Sequence, residues 1–208
     1  MFRSPGDAPL SSSTGYGSFH CDGCVPDPHN RAKTVRELYE LAGDTEGKYS
    51  VPVLWDTKTK TIVNNESAEI IRMLNDKFDA YAERAACNLF PSDLEAEMKT
   101  VDEWIYSNIN NGVYRCGFAR SQAAYDEAAA ALFAALDRCE AILGQQRYIA
   151  GDRFTASDVR LFMTLIRFDE VYVCYFKTNM RFIHQYKMLA AYTREVYQMV
   201  RRRARRSA

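Results

Sequence analysis

The sequence predicts an α+β chain in which a short antiparallel hairpin unit precedes an all-α domain. Two β-type runs, Tyr49–Asp56 and Thr61–Asn64, are separated by the polar turn Thr57–Lys60, which is too short for a parallel crossover. Apolar residues at helical spacing flank that hairpin, and from Leu94 onward every apolar run has helical spacing. At 208 residues, 47% hydrophobic and 26% charged, the chain is long enough to bury a sizeable core.

Residues 1–30 are rich in Ser, Gly and Pro without periodicity, and read as an irregular segment. A helix is predicted over Ala32–Ala42, with Val35, Leu38, Tyr39 and Ala42 on one face and Gly43 as its stop. After the hairpin, a helix over Glu66–Phe78 places Ile70, Ile71, Leu74 and Phe78 together. Asp79–Pro91 reads as a linker. The helical half then comprises Leu94–Ile109, the Ala-rich Ser121–Leu143, Thr155–Phe168 and Asn179–Val200. The domain reading is a hairpin unit over 31–80, a linker over 81–93, a helical domain over 94–200 and a basic tail over 201–208.

Charge excludes one class of function. Lys plus Arg and Asp plus Glu both number 27, so the chain as a whole is no electrostatic nucleic-acid binder. The local run RRRARR at 201–206 reads as a solvated tail, with phosphate contact or nuclear addressing as its functional alternative. No apolar run reaches the roughly 18 residues that span a bilayer. The first twenty residues carry no secretory h-region, so a cytoplasmic protein is expected. Six scattered cysteines then read as free thiols.

Two stretches carry candidate binding chemistry. In Val51-Pro52 the proline cannot donate to a ladder. It marks either an ordinary edge strand or a break that frees the Val51 main chain to pair with an extended peptide. Glu66-Ser67 opens a helix whose first N–H groups carry partial positive charge. One reading is a local cap in which Asn64 or Asn65 is the N-cap and Glu66 a first-turn acid. The other is an α-amino-acid site, with carboxylate on the helix start and amine on the Glu. Thr155 and Asp158 have the spacing of a capping box and are assigned to folding, not chemistry. In Asn110–Phe118, Gly112 is expected to break the helix and turn Tyr114 away from its axis.

Taken together, "VPVLWD", "TIVNNESAEIIRMLN", "NNGVYRCGFA", "QRYIAGDRFTASDVRLFMTLIRFDEVY" and "FKTN" resemble the glutathione transferase superfamily. More narrowly, they resemble the glutathionyl-hydroquinone reductases, the Xi-class or Omega-like transferases. The resemblance runs from about Asp27 to Met199. It implies a partial thioredoxin-like unit followed by the all-α transferase domain. It also implies glutathione-dependent reduction of S-glutathionyl-hydroquinones, with glutathione as co-substrate and no metal. By resemblance Val51 holds the cysteinyl backbone of glutathione, and Glu66 and Ser67 hold its γ-glutamyl end. Tyr114 faces the hydroquinone as the catalytic residue, with Arg115 steadying developing phenolate charge. The implied partners are glutathione and aromatic hydroquinone conjugates, with a homodimer left open.

The family acts through the thiolate of a Cys-Pro-Trp-Ala motif, which takes glutathione from the conjugate as a mixed disulfide. That motif is not in this sequence, and both ends read as truncated against the family. A catalytically dead glutathione- or quinone-binding remnant is therefore the alternative, and an interaction protein using the basic tail a third. The His20–Cys24 run "HCDGC" contains a C-x-x-C. Pro26 and Pro28 come directly after it, so no helix starts there to depress a thiol pKa, and with His20 and His29 it lacks the usual zinc-finger spacing.

Overall fold

A computed structural model of the chain describes residues 18–19, 24–81 and 88–206, with side chains described to 199. Two compact units divide it, 1–86 and 87–208.

In the first unit, α1 (Val35–Leu41) starts at Thr34, whose side chain accepts the Glu37 N–H at 3.2 Å. It ends at Gly43, φ +78. There the Asp44 and Gly43 N–H groups return to the Tyr39 and Glu40 carbonyls, a helix stop that needs a left-handed residue. Strands β1 (Leu54–Asp56) and β2 (Thr61–Asn64) pair antiparallel, with a register irregularity between Leu54 and Trp55. Their turn is set by Asp56, whose carboxylate accepts the Lys58 and Thr59 N–H groups, and is closed by Lys60 at φ 55. β1 is shorter than the eight-residue run its composition suggests, because Val51, Pro52 and Val53 lie outside the ladder. α2 (Ser67–Asp76) comes at once after β2 and buries none of its residues.

In the second unit α3 spans Glu95–Ile105, α4 Gly112–Gly117, α5 Gln122–Leu143, α6 Ala156–Arg167, α7 Val173–Phe176 and α8 Lys187–Arg206. α8 thus carries the 201–206 run within a helix. The core is one cluster in which Ile105, Ile109 and Val113 meet Leu132, Leu136 and Cys139 of α5. Leu161, Leu165 and Phe168 join from the α6 side, and Leu189, Tyr192 and Val196 from α8. Each such large apolar side chain contributes about 1.5–3 kcal/mol on burial.

The polar atoms of this unit lie where helix ends need them. Ser121 caps α5 through the Ala124 N–H at 3.2 Å. The Glu140 carboxylate caps α8 from a distance, taking the Met188 and Leu189 N–H groups at 2.8 Å each. Asp158 is fully buried. One oxygen accepts the Ile149 N–H at 2.9 Å and the Tyr192 hydroxyl at 2.8 Å. The other accepts the Thr155 N–H at 2.8 Å and the Thr155 hydroxyl at 3.0 Å. The carboxylate thereby ties the start of α6 to the preceding loop and to α8. Burial outweighs these four bonds and pushes the Asp158 carboxyl above the usual range.

Two departures from the sequence expectation concern helix continuity. Gly112 does not break a helix. Tyr106–Asn110 forms a π turn in which the Asn111 N–H reaches the Tyr106 carbonyl at 2.8 Å, and the chain runs on helically as α4. The extra residue of that turn rotates α4 about the helix axis relative to α3. Asn110 fastens the turn to α6 by donating to the Arg160 carbonyl and the Thr164 hydroxyl at 2.9 and 2.7 Å. The last helix begins at Lys187 and not near Asn179. Before it, Asp169 accepts the Ile183 and His184 N–H groups at 2.6 and 3.1 Å, holding a separate short turn.

The free-thiol expectation also needs correction. Cys116, Cys139 and Cys174 are free, but Cys24 is disulfide-bonded. Cys21, the other cysteine of the C-x-x-C run, lies outside the described residues, as do His20 and Cys87. No helix among the described residues is long and apolar enough to cross a membrane.

Candidate functional site

The sequence-predicted residues fall in both units, and each unit forms its own environment. In the first, Val51 is exposed at 69%, and among the described residues its N–H and C=O form no hydrogen bond. The Val51–Pro52 peptide bond is cis. Glu66 occupies the N-cap of α2 with extended backbone, φ −91 and ψ 113, and no side chain caps the helix. The local-cap reading is therefore not what forms. The Asn64 carboxamide accepts the Glu66 N–H at 2.6 Å and donates to Glu69, and Glu69 is the first-turn acid. Ser67 stands at the first helical position, and among the described residues its hydroxyl has no partner. Among the described residues the Ser67 and Ala68 N–H groups are left open, while those of Glu69 and Ile70 reach the Glu66 carbonyl; an open helix start is the electrostatic setting that attracts an anion.

A cleft of about 430 Å³ opens beside this helix start, walled by Tyr39, Gly43, Asp44, Asn65, Glu66 and Glu69. Residues outside the sequence prediction shape it. Tyr39, 1% exposed, donates its hydroxyl to the Ser50 carbonyl at 2.7 Å. It accepts from the Asn65 amide at 2.9 Å, and that amide also donates to the Ser50 hydroxyl at 3.1 Å. The residue before Val51 is thus tied to the residue before Glu66. Tyr39 has the spacing of an ordinary helix-face apolar residue and Asn65 that of a cap, so only its double-Asn context marks the latter in the sequence.

In the second unit, Tyr114 of α4 is 44% exposed and sits in an aromatic group. Its ring meets Phe176 at 5.3 Å, Tyr172 at 5.9 Å and Phe118 at 6.2 Å between centroids. Its hydroxyl lies 3.5 Å from that of Tyr172. Burial and then the Tyr114 contact push the Tyr172 phenol up to about 12. Gly117 allows Phe176 to join, since a Cβ there would lie 2.3 Å from its ring. A mainly apolar cleft of about 470 Å³ is walled by Tyr106, Asn111, Tyr114, Arg115 and Phe118. Arg115 makes an exposed ion pair with Glu127 at 3.4 Å, worth little in solvent. The arrangement offers a phenol hydroxyl over an apolar wall, which suits a flat aromatic molecule bearing oxygen. Two of the free thiols are less promising. Burial pushes Cys116 up and Cys139 up to about 12, so neither is poised as a thiolate, whereas Cys174 is exposed. Thr155 and Asp158 are wholly buried and structural. Among the described residues no three His, Cys, Asp or Glu side chains converge on a metal position.

An antiparallel hairpin leading into an uncapped helix, with a bundle built on a buried capping box, is the architecture of a glutathione transferase. Residues 122–195 match the family model described as glutathione S-transferase, C-terminal domain. The chain is 51% identical over 153 residues to "Glutathionyl-hydroquinone reductase YqjG" of Escherichia coli, covering 74% of this chain and 46% of that protein. It is 42% identical over 170 residues to "Glutathionyl-hydroquinone reductase PcpF" of Sphingobium chlorophenolicum, covering 81% and 54%. Among solved structures, glutathione-bound YqjG from E. coli K-12 superposes with a TM-score of 0.82 at 45% identity, over 88% of this chain and 60% of that one. Over most of its length the chain is similar to the Xi-class, glutathionyl-hydroquinone reductase family of glutathione transferases. It spans about half the length of the curated relatives it matches.

Proposed function

We propose that the first unit binds glutathione and that the chain serves in glutathione-dependent reduction of S-glutathionyl-hydroquinones. The observation that carries this reading is the pairing of a Val51 main chain that has no partner among the described residues with the uncapped α2 start at Glu66-Ser67, fixed to each other through Ser50 and Asn65. Val51 takes the cysteinyl backbone of the tripeptide as a short added strand. The Ser67 N–H and hydroxyl take the γ-glutamyl carboxylate, and the Glu66 carboxylate takes its ammonium. E. coli YqjG, whose structure is described as glutathione-bound, supports the reading.

Tyr114 is proposed to hydrogen-bond a quinol oxygen, with Phe118 and Phe176 covering the ring. In the reduction as the resemblance implies it, the thiolate of the family's Cys-Pro-Trp-Ala motif, which is not in this sequence, attacks the glutathione sulfur of the conjugate; a mixed disulfide forms as the carbon–sulfur bond breaks, and the aromatic carbon takes a proton. A second glutathione then releases the first as glutathione disulfide. By the resemblance to transferases alone, we place the protein in the cytoplasm and leave the homodimer open.

A second reading, glutathione or quinone binding without turnover, is favoured by the raised pKa values of Cys116 and Cys139. Incubation with a glutathionyl-hydroquinone separates the two. Release of free hydroquinone, slowed at least tenfold by Tyr114→Phe, supports the reductase. Binding with no released hydroquinone and no glutathione adduct on any cysteine by mass spectrometry supports the binder.

A further inference from the structure

The Tyr39, Ser50 and Asn65 side chains form a closed hydrogen-bonded triangle that neither the sequence motifs nor the reaction chemistry assigns. We propose that this triangle is a positioning device for the glutathione site, with Asn65 as its central residue. The inference rests on the glutathione reading of Val51, Glu66 and Ser67 and identifies what sets their separation.

The Val51 stretch takes no part in the β1–β2 ladder, so strand pairing does not fix its place. α2 buries no residue, so apolar packing holds the helix start weakly. What joins these two otherwise loose segments is polar. Tyr39 is anchored in α1 at 1% exposure and gives its hydrogen to the Ser50 carbonyl, one residue before Val51. The Asn65 amide spends one hydrogen on the Tyr39 hydroxyl and the other on the Ser50 hydroxyl. Asn65 is one residue before Glu66, and the chain enters α2 directly from it. Both Asn65 amide contacts and the Tyr39 hydroxyl are engaged within the group, and the Tyr39 and Ser50 hydroxyls lie 3.3 Å apart, so each of the three side chains is held by the other two.

The residue types suit that task. An Asp at 65 has no hydrogens to give, and a Gln carries its amide one methylene further. A Phe at 39 fills the same space but leaves the Ser50 carbonyl and the Asn65 amide without their partner. None of the three side chains needs to touch glutathione. They act by holding Val51 and Ser67 at the spacing of a tripeptide, so that little ordering is left to be done on binding.

The test is calorimetric titration with reduced glutathione, at a temperature where circular dichroism shows every variant folded. Asn65→Ala and Tyr39→Phe are each expected to weaken binding about tenfold. The double variant is expected to be no weaker than the worse single, because both break one triangle. Ser50→Thr keeps the hydroxyl and is expected to stay within about twofold of the parent. Amide NMR without ligand supplies the second readout, in which Asn65→Ala moves the Val51 and Ser67 resonances. A purely structural role lowers the melting temperature but leaves the affinity of the folded protein unchanged. Equal affinity in parent and variants therefore overturns the clamp while leaving the glutathione reading intact. A parent that binds no glutathione overturns that reading and the clamp with it.

Discussion

Asp158→Ala removes the one carboxylate on which the start of α6, the loop at Ile149 and α8 all converge. The substitution leaves the Ile149 and Thr155 N–H groups buried without acceptors, and strands the Tyr192 and Thr155 hydroxyls. A buried donor without a partner costs about 1–3 kcal/mol. The two backbone donors are fixed, while the hydroxyls are free to rotate toward other acceptors, so a total of about 3–5 kcal/mol is expected. For a unit of this size that lowers the melting temperature by about 10–20 °C. Asp158→Asn retains volume and one acceptor oxygen, but turns an amide donor toward a backbone N–H. It is expected to lie between the parent and Asp158→Ala. Urea unfolding followed by circular dichroism measures the loss, with an unchanged denaturant slope as the check on two-state behaviour. A penalty under about 1 kcal/mol for Asp158→Ala would refute the reasoning, because four satisfied bonds at a fully buried site could not then be holding the helices together.

Gly117→Ala drives a methyl group into Phe176. It should cost about 1–3 kcal/mol and shift the ring-proton NMR signals of Tyr114, whereas unchanged signals would show that Phe176 does not depend on the missing Cβ. The Tyr172 phenol, held up to about 12 by burial and then by Tyr114, should be a late step in phenolate absorbance and should titrate earlier in Tyr114→Phe. A folded pKa above the unfolded value of about 10 means that this group's stabilisation is complete below about pH 10 and lost as the pH rises toward about 12. For Asp27, burial acts upward, but N–H donors from His29, Ala32 and Asn30 prevail and hold the carboxyl below its usual range. Its stabilisation is therefore present above about pH 4 and lost as acid protonates it, and Asp27→Asn should flatten the acid limb of the first unit's unfolding curve. Limited proteolysis should cut within residues 24–81 before the helical unit, since α2 buries nothing while the large core lies in the second unit; first cuts within α5 or α6 would contradict this.

Much of the fold is legible because its elements carry their own signals. β2 over Thr61–Asn64 and α5 up to Leu143 can be read directly from alternation and from a long apolar stripe with Ser121 ahead of it. β1 is expected too long because composition cannot show that the residues around Pro52 lack a ladder partner. The π turns at Tyr106–Asn110 and Phe168–Tyr172 are hidden for a related reason. One inserted residue barely disturbs a 3.6-residue period, yet it rotates the next helical segment. The late start of α8 depends on Asp169, fourteen positions before Ile183, which no local pattern records. In the candidate site, Glu66 and Ser67 are marked by the run NNES that carries the resemblance, since a first-turn acid behind an Asn is by itself a common local arrangement. The link between Tyr39 and Asn65 is not marked, since each has a common local role, and the triangle they form spans 26 positions of chain. Tyr172 is likewise one aromatic among many until Tyr114 is seen beside it.

Amide NMR with reduced glutathione tests the central claim most directly, because it reads each residue of the site separately. The glutathione site predicts saturable shifts at Val51, Ser67 and Ala68, abolished by Glu66→Ala, with the core amides of α5 unmoved. Glutathione that leaves those three amides in place, or moves them equally in Glu66→Ala, would contradict it.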